Sequence, residues 1–243
     1  MKRVIVLGKG DLAIRVSEWF LDDPAHDLRC VVPVVPEPAW TGSLRDWALC
    51  HSVPLVASGR YQDIDGVMGD GATFDLGVSV FYDKIIRQWF IDRCGRILNI
   101  HNGPLPRYRG VSPINWALRN GETEHGVTIH ELDAGIDTGA IVAQVKYSIY
   151  PEFDEVVDVY RRSLEYAWAL FRHTMPLLDR IAARPQDDAL ATYYSRDMDN
   201  QLGERRSFTR AESLAATSHR PPSHQPGDRG DRATPTTEMP HER

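Results

Sequence analysis

Through the first hundred residues, short apolar runs alternate with amphipathic stretches. Residues 3–7 read as a buried strand, and residues 11–21 place Leu12, Val16 and Phe20 on one helical face. Further strands are predicted at 28–35, 55–57, 76–81 and 97–101. Helices are predicted at 84–94 and at 43–50, where Ser43 caps and Asp46 stands three residues on. Strands alternating with helices predict an α/β fold with a doubly wound, mostly parallel, Rossmann-like sheet. Ligands of such sheets lie beyond the carboxyl ends of the strands, an edge that here gathers residues 8–10, 82–84 and 101–102.

Prolines and glycines forbid regular structure over 103–111, and Ser112-Pro113 then opens a helix that Asn120-Gly121 ends. Strands are predicted at 127–132 and 140–149, around a turn-rich loop at 133–139. Asp154 is the expected cap of a long helix whose face carries Val156, Tyr160, Leu164, Ala167 and Phe171, ended or kinked by Pro176. The expected division is a catalytic core over 1–183 and a small C-terminal strand or hairpin appendage over 184–213, with strands at 191–195 and 207–209. Residues 214–243 are rich in Pro, Ser, Thr, His and Arg, with too few apolar residues to build a core, so a disordered tail is expected.

Composition narrows the function classes. With 42% hydrophobic and 26% charged residues, the chain of 243 is that of an ordinary globular protein. A formal net charge of -6 argues against a general nucleic-acid binder, because neutralising phosphates needs clustered Lys and Arg. No segment approaches the roughly 18 to 20 apolar residues of a membrane span. The basic start followed by a short apolar run fits a first strand better than a signal peptide. The cysteines, Cys30, Cys50 and Cys94, form no CxxC pair, so no metal site or disulfide framework is expected, and a reducing cytoplasm is the expected location.

Three polar residues then stand out. Asn99 and His101 lie two apart at the end of a predicted strand and share a face. Asp137 follows in the 133–139 loop, where Gly135 and Gly139 permit close approach to a ligand. These types suit acyl transfer: an amide N–H for an oxyanion, an imidazole to move a proton, and a carboxylate to orient and charge that imidazole. A histidine after a strand and a DxG turn are more often structural, so residue type and spacing leave both readings open.

The run Asn99-Ile100-His101-Asn102-Gly103-Pro104-Leu105-Pro106-Arg107-Tyr108-Arg109-Gly110 resembles the signature of folate-dependent formyltransferases, N-x-H-x-S-L-L-P-x-[YF]-x-G. The resemblance continues through residues 112–118, 126–130 and 132–141 and covers about residues 76–180. It implies that Asn99, His101 and Asp137 are the catalytic Asn, His and Asp, and that the formyl donor is 10-formyltetrahydrofolate. It further implies a pterin held, mostly by backbone groups, between Lys84-Ile85-Ile86 and Asp133-Ala134-Gly135-Ile136. One departure is that Gly103-Pro104 stands where the family has Ser-Leu.

Within that family the chain is most similar to the nucleotide-sugar N-formyltransferases, which implies a dTDP-4-amino-4,6-dideoxyhexose or a close relative as acceptor. The expectation rests on finding, in this sequence, no match to the basic tRNA-binding domain, the Gly-Ser-Asn phosphate motif or the regulatory domain of three other branches. Lys84, Arg107, Arg109 and Lys9 are the candidates for meeting the diphosphate. A homodimer through the C-terminal appendage is expected, with no nucleic acid and no membrane as partner. The alternatives are a formyltransferase for another amine (a UDP-amino sugar, glycinamide ribonucleotide or methionyl-tRNA) and, in a different class, a nicotinamide-dependent oxidoreductase. The latter rests on Gly8-x-Gly10-x-x-Ala13 after a strand, a weak match when alone. A ligand-binding module without catalysis would need a broken polar site, and all three residues are present.

Overall fold

Strict alternation in the first strand sorts its side chains into two cores. In β1 (Lys2–Gly8), Val4 and Val6 join the larger apolar cluster on one face, while Ile5 and Leu7 join a smaller one on the other. A strand buried on both faces requires helices or loops on both sides of the sheet. The computed structural model describes residues 1–209 and residue 212. The expected tail over 214–243 lies outside the described residues.

After β1 come α1 (Gly10–Asp22), β2 (His26–Pro33), α2 (Leu44–Cys50), α3 (Asp65–Met68), β3 (Phe74–Val80), α4 (Gln88–Ile91) and β4 (Cys94–His101). There follow β5 (Arg109–Gly110), α5 (Pro113–Arg119), β6 (Glu124–Glu131), β7 (Ile141–Ser148), α6 (Val156–Thr174) and β8 (Tyr193–Tyr194). The main sheet has the order β2-β1-β3-β4-β6-β7. Its first four strands are parallel, and β6 and β7 are antiparallel. The strand order reverses direction between β1 and β3, which opens a crevice at their carboxyl ends. Among the described residues no helix is long and apolar enough to cross a membrane.

The α1 and α6 helices close the larger core, where Trp19, Phe20 and Phe171 meet edge to face with ring centroids 5.1 to 5.6 Å apart. Ser43 caps α2 as expected, its hydroxyl accepting from the Asp46 N–H at 3.0 Å.

Several expected elements differ, each for a local reason. The helix over 84–94 shrinks to one turn. The Tyr61 hydroxyl donates to the Ile85 carbonyl (3.1 Å) and accepts from the Arg87 N–H (2.9 Å), so this backbone is held by a side chain before a helix can start. The strand at 55–57 reduces to a single bridge between Leu55 and Val31. Ser112 adopts a left-handed conformation and makes no side-chain cap, leaving Pro113 alone to start α5. Glu155, in a capping box with Asp158, caps α6; Asp154 instead accepts from the Tyr150 N–H and pairs with Arg162 at 2.8 Å.

The C-terminal appendage is not a hairpin. Strand β8 pairs in parallel with β5, inside the loop after β4, and residues 207–209 form no strand. The Phe208 carbonyl instead accepts from the Val157 N–H at 3.1 Å, in the first turn of α6. Tyr194, expected at a dimer surface, stacks between Trp116 (4.4 Å) and Tyr108 (5.5 Å).

The aromatic trio makes a stability prediction. Phe171→Ala leaves a cavity between α1 and α6 and is expected to cost about 3 to 5 kcal/mol. A urea titration should show a lower midpoint with an unchanged slope.

Candidate functional site

The site is built where the sheet changes from parallel to antiparallel. Asn99 and His101 share a face near the end of β4, and the β4–β6 register sets His130 directly opposite Asn99. The buried Thr128, opposite His101, steadies the loop that follows: its hydroxyl donates to the Gly103 carbonyl at 2.6 Å and accepts from the Leu105 N–H at 3.2 Å. Gln144 on β7 donates to both Thr128 and the Leu105 carbonyl, each at 2.8 Å.

Asp137 enters from the loop between β6 and β7 in a left-handed conformation, φ 54°. One carboxylate oxygen accepts from the Gly110 N–H at 2.8 Å and lies 3.5 Å from His101 Nδ1. The other lies 3.4 Å from both Asn99 Nδ2 and His130 Nε2. Gly139 approaches protein rather than ligand, since a Cβ there would overlap the Glu131 carbonyl.

Hydrogen-bond chemistry fixes the protons. His130 Nδ1 lies 2.8 Å from the Glu131 carbonyl, which only accepts, so Nδ1 carries the hydrogen. The lone pair of His130 Nε2 therefore receives an Asn99 amide hydrogen at 3.1 Å. His101 Nε2 lies 2.7 Å from the Tyr108 carbonyl and likewise carries a hydrogen, leaving Nδ1 toward the Asp137 carboxylate. Burial pushes the His101 pKa below the ordinary imidazole value, opposed by Asp137 and reinforced by His130. Burial acts to raise the Asp137 carboxyl, but the His101 and His130 rings and the Gly110 N–H outweigh it and hold the group well below the usual carboxylate range. The result is a carboxylate 3.5 Å from His101 Nδ1, an arrangement in which the ring can take up and return a proton.

Gly103, where the family signature has Ser, now has a physical reason. A Cβ at that position would stand 2.6 Å from His101 Nε2 and 3.2 Å from the Tyr108 carbonyl. Glycine thus makes room for the His101–Tyr108 hydrogen bond.

The two loops expected to flank a pterin rest on the smaller core, through Tyr82 and Ile86 on one side and Leu132 on the other. Ile85 (57% exposed) and Ile136 (42% exposed) present apolar side chains to solvent there. Tyr82 secures the first loop by donating to the Gly59 carbonyl at 2.7 Å. Asp133 shapes the second, accepting from the Gly135 N–H (3.1 Å) and the Thr138 hydroxyl (2.6 Å).

The four expected phosphate-binding cations fare differently. Arg109 is turned inward, with only 9% of its side chain exposed, and binds Gln186 and Asp188. Arg107 pairs with Glu122, and Lys84 pairs with Asp83 at 3.1 Å. Lys9, at the mouth of the β1–β3 crevice, is partly buried; burial lowers its pKa, with Asp83 opposing and Arg196 adding to the effect.

A family model described as "Formyl transferase" matches residues 60–174, the stretch that holds β3, β4, β6, β7 and all three polar residues. Over this stretch the chain is similar to the formyl transferase family. The methionyl-tRNA formyltransferase of Thermosynechococcus vestitus is 43% identical over 155 residues, covering 62% of this chain and 46% of that protein. That of Roseobacter denitrificans is 31% identical over 204 residues, covering 79% of this chain and 65% of that protein. The chain therefore spans less than two thirds of the length of these curated relatives. Among solved structures, a sugar 3-N-formyltransferase, WlaRD, solved with dTDP and 5-N-formyl-THF, matches with a TM-score of 0.69 and 26% identity, over 81% of this chain and 70% of that one. The N-formyltransferase of Helicobacter canadensis, solved with folinic acid and dTDP-3-aminofucose, shares the fold at a TM-score of 0.68 and 24% identity, over 81% and 72%.

His130 is the site residue that sequence reasoning missed. It lies inside a quoted motif, but only the antiparallel register reveals that it faces Asn99.

The proton placement is testable by imidazole NMR. In Asp137→Asn the carboxylate that favours the charged His101 ring is gone, so the His101 pKa should fall further. Gly103→Ser should displace the ring from the Tyr108 carbonyl and change its Nε2–H signal while the protein stays folded.

Proposed function

We propose that this chain transfers the formyl group of 10-formyltetrahydrofolate to a primary amine. The observation that carries the reading is the buried Asn99–His101–Asp137 cluster at the carboxyl edge of the sheet, with Ile85 and Ile136 exposed on the two loops expected to hold the pterin. The exposed Ile85 and Ile136 and the backbone of their loops suit a flat ring with polar edges, and the folate would supply the activated formyl group there.

The protein's own groups then divide the work. In the free site every donor points inward: His101 Nε2–H to the Tyr108 carbonyl, and the Asn99 amide toward His130 and Asp137. When the amine attacks, the oxygen of the reacting carbonyl becomes a stronger acceptor than these partners and draws the N–H groups of His101 and Asn99. The new C–N bond leaves an extra proton on the attacking nitrogen. His101 Nδ1 takes it against the Asp137 carboxylate and returns it to the leaving nitrogen as the old C–N bond breaks. Cavity and ladder together hold the reacting groups in register.

For the acceptor, a nucleotide-linked amino sugar, such as dTDP-4-amino-4,6-dideoxyglucose or a close relative, is the preferred reading. Its support is the likeness to the sugar 3-N-formyltransferase and the presence of Lys9 and Arg196 near the crevice, a pair of cations suited to a diphosphate. Methionyl-tRNA is the second reading, supported by 43% identity to the Thermosynechococcus vestitus enzyme.

Incubation with 10-formyltetrahydrofolate and a panel of dTDP-, UDP- and GDP-amino sugars, glycinamide ribonucleotide and methionyl-tRNA should give one product heavier by a single CO. Mass gain on the tRNA alone would overturn the sugar reading, and no gain on any amine would overturn formyl transfer. His101→Ala should lower turnover by about 100-fold or more. Near-normal turnover in that variant would remove His101 from the mechanism.

A further inference from the structure

The loops that carry Gly110 and Asp137 are separate in sequence, yet one side chain from the C-terminal segment touches both. Gln186 Nε2 donates to the Asp137 carbonyl at 2.8 Å and to the Gly139 carbonyl at 2.7 Å. Its Oε1 accepts from Arg109 Nε at 3.0 Å and Nη2 at 2.8 Å. Arg109 immediately precedes Gly110, whose N–H binds the Asp137 carboxylate at 2.8 Å. These contacts close a ring: Gln186, the Asp137 backbone, the Asp137 carboxylate, Gly110, Arg109, and back to Gln186.

All four hydrogen-bonding positions of the amide are in suitable use, two N–H donors on two carbonyls and one oxygen on one guanidinium. Asp188, the other partner of Arg109, is 84% exposed along its side chain and so holds it weakly. The neighbouring chain repeats the attachment through backbone: the Arg109 N–H donates to the Thr192 carbonyl at 2.9 Å, and the Tyr108 N–H to the Thr192 hydroxyl at 2.7 Å. The residues that face both Asp137 and His101 are therefore hung from residues 186–194.

We propose that Gln186 is a positioning residue: by gripping the Asp137 turn and the Arg109 side chain at once, it sets the separation between the Asp137 carboxylate and the His101 ring. It touches no reacting atom. The inference deepens the proposed formyl transfer and rests on that reading for its kinetic consequence, but its geometric consequence stands apart from it.

Two variants separate the two halves of the grip. Gln186→Met keeps length and removes every hydrogen bond. Gln186→Glu keeps an acceptor for Arg109 but sets a carboxylate against two carbonyls. Both are compared with wild type and Asp188→Asn by thermal unfolding, by imidazole NMR titration of His101 in the substrate-free protein, and by kcat and KM for formyl transfer. The titratable groups acting on His101 are Asp137, His130 and His125, and only Asp137 is attached to Gln186. In Gln186→Met the His101 titration should move to lower pH, in the direction of Asp137→Asn. The kcat should fall by about tenfold to 100-fold, the loss expected of a misplaced catalytic group, with KM for the amine nearly unchanged. Asp188→Asn should leave both readouts near wild type.

A wild-type His101 titration in folded Gln186→Met would overturn the proposal. So would a kcat loss that Asp188→Asn reproduces, or one that tracks a lowered unfolding temperature with no change at His101. If wild type itself transfers no formyl group, the functional reading fails, and the NMR titration alone still decides the role of Gln186.

Discussion

One buried carboxylate organises this molecule. Asp137 is held low in pKa at a place where water is scarce, and an unpartnered charge there would cost several kcal/mol. The fold answers by delivering partners from separate parts of the chain: His101 from β4, His130 from β6 and Gly110 from the loop between them. Each partner also has a second attachment, to Tyr108, to Glu131 and to the C-terminal segment. The charge is stabilised by groups that are themselves fixed, which is the condition for electrostatic preorganisation rather than mere attraction.

The site combines two kinds of support. Asn99, His101 and His130 sit on neighbouring strands, whose spacing the ladder hydrogen bonds set. Asp137 and Tyr108 sit on loops in left-handed backbone conformations, and their positions depend on contacts made from outside those loops. The ladder side needs only the alternation of β4 and β6. The loop side needs Thr128, Gln144, Thr192 and Gln186, each distant in sequence from the loop it holds.

That difference explains what was legible in the sequence. Period and turn chemistry were enough for the parallel half of the sheet, for α1 and α2, and for placing Asn99 and His101 together, because those features are local. Asp137 stood out by type within its loop, and the family resemblance, not periodicity, connected it to β4. His130 stayed hidden because facing Asn99 is a property of inter-strand register. The helix expected over 84–94 failed for a similar reason: Tyr61, more than twenty residues earlier, takes over the backbone at 85 and 87. Arg109 looked like a free cation because a sequence does not display that Gln186 and Asp188 surround it. The expected hairpin at 191–209 likewise gave way to a pairing with β5 that crosses more than eighty positions.

The pairing of β5 with β8 also bears on the order in which the molecule is made. The elements from β1 through α6, helices included, supply nearly the whole apolar core, and they leave the ribosome before β8 does. A nascent chain that ends near α6 already contains the sheet and all of Asn99, His101, His130 and Asp137. It lacks the strand that anchors the Tyr108–Gly110 segment and the glutamine that joins it to the Asp137 turn. Folding that proceeds from the N-terminus during synthesis would therefore assemble the scaffold first and frame the site last. A site assembled in that order is complete only once residues 186–194 have docked.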